Sequence, residues 1–70
     1  MSLPNYLINL ARQLSVDQMR SLQLNLNFVD YSDREEKLRK IEEILNDYGL
    51  PVEGLSESQI LGFANFVNSL

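Results

Sequence analysis

The chain of 70 residues contains neither cysteine nor histidine. The first absence removes disulfides, thiolate metal ligands and cysteine nucleophiles together. The second removes the commonest zinc ligand and the commonest general base. No apolar run approaches the ~20 residues that span a bilayer. The opening Met1-Ser2-Leu3-Pro4 lacks the basic region and apolar run expected of a signal peptide, and the absence of cysteine fits the expectation of a cytoplasmic protein. Positive charge is also scarce: six Lys and Arg stand against ten Asp and Glu, for a formal charge of −4. That balance disfavours a sequence-independent grip on phosphate.

What remains is a modest apolar supply, 44% of the residues, typical of a globular chain and too rich for disorder. A single domain over 1–70 is expected. Chains this short bury only about 60% of the surface that their unfolded form exposes. They usually need disulfides, a metal or association to supplement the core. With the first two disfavoured, association is the supplement left.

The periodicity predicts an all-α, compact bundle of four short helices near 3–14, 16–29, 33–48 and 57–69. In the first, Leu3, Leu7, Leu10, Ala11 and Leu14 fall on one side with Tyr6 beside them, and Pro4 occupies the first turn behind Ser2. The second opens on a capping box, Ser15 with Gln18, stapled by Leu14 and Met19. Its stripe is Val16, Met19, Leu22, Leu26 and Val29. A rival pattern overlaps it, because Leu22-Gln23-Leu24-Asn25-Leu26-Asn27-Phe28 alternates as a half-buried strand would. Helix is preferred: Leu, Gln and Asn are weak strand formers, and no second alternating segment exists to pair with this one.

The third helix is assigned a box of Ser32 with Glu35 and a stripe of Leu38, Ile41, Ile44, Leu45 and Tyr48. Asp33, Glu35 and Glu36 suit its N-terminal dipole. Three pairs at i, i+4 support it by about 0.2–0.5 kcal/mol each: Asp33 with Lys37, Glu35 with Arg39, Glu36 with Lys40. Gly49, Leu50 and Pro51 spell its stop. The fourth repeats the second helix's start, with Ser56 and Gln59 boxed between Leu55 and Ile60, and continues as Ile60, Phe63, Ala64, Val67 and Leu70. The shared Leu-Ser-x-x-Gln start is read as common capping chemistry rather than duplication, since the likeness fades after the cap.

No catalytic constellation emerges. Ser15, Ser32 and Ser56 are used as caps, and Lys37 and Lys40 lie on the most charged helix, a poor place to desolvate a base. Glu42 and Glu43, like Glu35 and Glu36, are neighbours pointing about 100° apart, so they do not converge. Gly49, Gly54 and Gly62 are too isolated to cradle a phosphate. No enzyme, cofactor, metal or small-molecule substrate is expected. Membrane-surface binding is also disfavoured, because the first and last helices nearly lack Lys and Arg.

Five large apolar side chains lie off the stripes or at their edge: Ile8, Leu24, Phe28 and Leu61 off them, and Phe66 at the edge of the fourth. Val52, in the connector, is a sixth. Gathered together they would form an interface. The leading expectation is therefore a non-enzymatic interaction module, a small acidic regulator, inhibitor or adaptor binding a protein partner or a second copy of itself through Ile8, Leu61 and Phe66, then Leu24 and Phe28. The alternative is a helix-turn-helix-type DNA-binding regulator whose second helix presents Gln18, Arg20, Gln23, Asn25 and Asn27. A self-assembling structural subunit is a third. Gly62, costing about 1 kcal/mol of helix propensity relative to Ala, marks a close approach by another backbone.

Overall fold

The computed structural model describes residues 3–28 and 33–70, and among them all regular structure is helical. Four helices follow in order: α1 (Asn5–Ala11), α2 (Val16–Asn27), α3 (Arg34–Asp47) and α4 (Glu57–Asn68). The segment that alternates in sequence is helix, as preferred.

Each boundary has a local cause. At α2 the Ser15 hydroxyl accepts from the Gln18 N–H at 3.2 Å while the Ser15 N–H donates to the Gln18 side chain at 2.9 Å. Ser56 and Gln59 repeat this at α4, at 3.2 and 2.9 Å. Both boxes were legible from spacing. The cap of α3 differs from expectation: Asp33 holds it, its carboxylate accepting from the Glu35 N–H at 3.1 Å. Ser32, assigned that role from sequence, lies outside the described residues, as do Ser2 and Val29. The end of α3 is a full Schellman turn. Gly49 adopts φ +75°, its N–H donates to Asn46 O, and the Leu50 N–H returns to Leu45 O at 3.1 Å.

α1 is shorter than its apolar spacing implied. Pro4 stands at its N-cap position, with no side-chain cap, its carbonyl accepting from the Leu7 and Ile8 N–H groups. Past Ala11 the bonds tighten to three-residue spacing, Gln13 N to Leu10 O and Leu14 N to Ala11 O. The chain must then become extended at Ser15 to begin α2. Leu3, before the helix, is therefore exposed, and Leu14, beyond it, is only half-buried.

α4 is the hub, packing against each of the other three helices, and α2 also packs on α3. Its Phe63 and Val67 are fully buried with Leu22 and Leu26 of α2 and Ile41 and Leu45 of α3. Complete burial of such a side chain is worth about 1.5–3 kcal/mol. The connector contributes as well. Val52, expected to be surplus, is buried in the core, because the turn that follows Leu50 directs it inward. On the charged face of α3, Glu36 reaches Lys40 at 3.5 Å and also Arg39 at 3.9 Å, so Arg39 pairs three residues back.

Candidate functional site

An α-helix turns 100° per residue, so a strictly alternating sequence puts successive apolar residues about 200° apart. Leu22 and Leu26 are fully buried. Leu24 and Phe28, two residues further along from each, must then point away from the core, and they are 60% and 85% exposed. The strand-like pattern is thus the signature of a helix with two apolar faces. One face belongs to the core; the other has no occupant within the described residues.

Val16 extends the outer face. It lies about 100° round from Leu22 and Leu26, and it is 71% exposed instead of joining the core stripe as expected. Val16, Arg20, Leu24 and Phe28 follow one another at intervals of four, making a continuous i±4 ridge along the whole of α2, all of it exposed. Beside the start of the ridge, Leu14, Val16, Met19 and Leu70 wall a shallow apolar groove of about 380 Å³, with Arg20 and Gln23 at its edge. Leu70 was expected to be buried. It lies past the last residue of α4 and is 62% exposed.

The polar flanks of α2 are anchored to the fold. Toward α4, the Gln23 amide donates to Val67 O at 3.2 Å and Leu70 O at 2.9 Å, tying α2 to the C-terminal end of α4. Toward α3, Ser21 hydrogen-bonds the Tyr48 hydroxyl, and the Asn25 amide donates to the same oxygen at 2.7 Å. Of the five side chains that a DNA-reading α2 would present, Gln18, Gln23 and Asn25 therefore already have partners within the chain. Arg20 is exposed, and no carboxylate of the described residues lies within 4 Å of it.

The five interface residues read from sequence divide between core and surface. Leu61 and Phe66 are half-buried against the core, Phe66 beside Phe63 with ring centroids 6.4 Å apart. Ile8 is 39% exposed on α1. Leu24 and Phe28 make the outer face of α2. Val16 and Leu70 have helical spacing compatible with the core, so the sequence alone does not mark them as surface residues. Gly62 does mark a close approach, but by a side chain: a Cβ there would sit 2.5 Å from the Tyr6 hydroxyl.

Charge is unevenly distributed. Over residues 3–28, Arg12 and Arg20 outnumber Asp17, whereas residues 33–70 hold eight carboxylates and four cations. A polar depression at the head of α3 is lined by Asp33, Glu35, Glu36 and Arg39. Among the described residues there is no cluster of three or more side chains able to hold a metal ion, and no helix is long and apolar enough to cross a membrane.

The fold and this surface define a small all-α bundle with one doubly apolar helix. No family model, curated protein or solved structure matches the chain.

Proposed function

We propose that the protein is a non-enzymatic protein-interaction module that docks a protein partner through the outer face of α2. The observation that carries this reading is the exposure of Val16, Leu24 and Phe28, at 71, 60 and 85%, on one ridge of a helix whose other sides are fixed to the fold. Apolar side chains clustered in this way are what a partner's surface would remove from water. The choice moves the docking face from α1 and α4 to α2, because Leu61 and Phe66 are half-used by the core. The nucleic-acid alternative has weak support, since the side chains of Gln18, Gln23 and Asn25 are engaged and Arg20 is the one cation of α2.

The test compares two charged replacements. Phe28→Glu removes the exposed ring at the C-cap of α2 and leaves circular dichroism and melting unchanged, while capture of the protein partner is lost. Phe66→Glu lowers the melting temperature, because its ring lies partly in the core. If Phe28→Glu retained every interaction of the wild type, the outer face of α2 would not be the docking surface.

A further inference from the structure

The ridge has an internal order that bears on what covers it. Leu24 lies at its centre, with Arg20 one turn before and Phe28 one turn after, each four residues away. Such an arrangement is self-complementary. A two-fold axis passing beside Leu24 sets two α2 helices antiparallel, Leu24 against Leu24, and brings each Arg20 to the Phe28 ring of the other copy. A guanidinium over an aromatic face is attractive, and more so as water is excluded. The commonest helix crossing, near −50°, is the one that aligns i±4 ridges of two helices side by side.

Resting on the reading of α2 as a docking face, we infer that its occupant is a second copy of this chain, joined through an isologous α2–α2 contact. Two further observations favour a copy over an unrelated protein. Arg20 has no carboxylate near it among the described residues, so its guanidinium is available to the ring. The excess negative charge lies on residues 33–70, whereas residues 3–28 carry one more cation than anions, so two copies meet along α2 without strong repulsion. The ridge is short and narrow, a few side chains per copy, so the contact it makes is a small one. A weak, reversible dimer is expected, with a dissociation constant of about 10 μM to 1 mM.

Sedimentation equilibrium of the full chain across that concentration range reads the association directly, and amide resonances identify the face. The wild type is expected to dimerise with shifts concentrated on Arg20, Leu24 and Phe28. Phe28→Arg, which sets guanidinium against guanidinium at both ends of the contact, raises the dissociation constant at least tenfold. The swapped variant Arg20→Phe/Phe28→Arg restores the pairing and returns the constant to within about threefold of the wild type. Circular dichroism confirms that each variant is folded. A wild type that is monomeric at 1 mM overturns the second-copy inference, as does a dimer unaffected by Phe28→Arg or a swap that fails to rescue. The docking-face reading fails separately, if Phe28→Glu alters neither this association nor capture of a different protein.

Discussion

α2 and α4 are matched in length and start, twelve residues each behind a Ser-x-x-Gln box with the same two hydrogen-bond distances. Their fates differ. α4 buries Ile60, Phe63, Ala64 and Val67 and packs against every other helix, whereas α2 buries Leu22 and Leu26 and leaves an apolar ridge in water. A cap sets where a helix starts; the spacing behind it decides which sides become apolar. In α4 the large residues recur at three and four, as Ile60, Phe63, Ala64 and Val67, and converge on one face. In α2 they recur at two, as Leu22, Leu24, Leu26 and Phe28, and divide between opposite faces. The difference separates an element that holds the fold from one that holds it and offers a second surface.

The largest expected effect tests that division with one chemistry at two positions. Phe63→Ala empties a fully buried site and should cost about 3–5 kcal/mol, enough to unfold much of a domain whose total stability is of order 5 kcal/mol. Phe28→Ala, with its ring 85% exposed, should change stability by less than about 0.5 kcal/mol. Urea denaturation followed by circular dichroism measures both. Similar losses from the two would mean that α2 is not two-faced but buried on both sides.

Much of this was legible in the residues. Capping boxes give the starts of α2 and α4, and Gly49-Leu50-Pro51 gives the clearest end, because capping chemistry is local. The centre of each core face followed from period, while Leu3, Val16 and Leu70, placed on the stripes, are exposed near helix ends. Three features were less accessible. The third cap fell to Asp33, since side chains of either neighbouring residue suit the role and spacing alone does not choose. Val52 entered the core through a turn, where no period exists to announce burial. Leu61 and Phe66, off the stripe of α4, are half-buried because a hub helix is covered on more than one side. In α2, the doubly apolar signature was visible as strand-like alternation, and its meaning depended on knowing that the segment is helical.

The caps sharpen the comparison at smaller energy. Ser15→Ala and Ser56→Ala each remove one hydrogen bond of the same geometry, and each should cost about 1 kcal/mol. If capping is as local as the matched boxes imply, the two losses in urea denaturation will agree to within about 0.5 kcal/mol despite the different burial of the helices that follow. A Ser56→Ala cost several times that of Ser15→Ala would show that the cap of a hub helix also positions its packing.

The smallest effect concerns the glycine that weakens α4 and has no counterpart in α2. Gly62→Ala should gain about 1 kcal/mol of helix propensity. Its new Cβ would lie 2.5 Å from the Tyr6 hydroxyl, so the phenol must shift, and part of the gain is lost. The atom behind that hydroxyl, the ring Cζ, is 3.8 Å away, an ordinary contact. Removing the oxygen alone therefore relieves the obstruction. Gly62→Ala is expected to be nearly neutral in the wild type and to stabilise the Tyr6→Phe background by up to about 1 kcal/mol, a rise of about 4–8 °C in melting temperature for a domain of this size. The double-mutant cycle isolates the coupling, because both residues of the contact are varied in turn. Equal gains in the two backgrounds would mean that Tyr6 does not lie over Gly62 and that α1 meets the hub helix elsewhere.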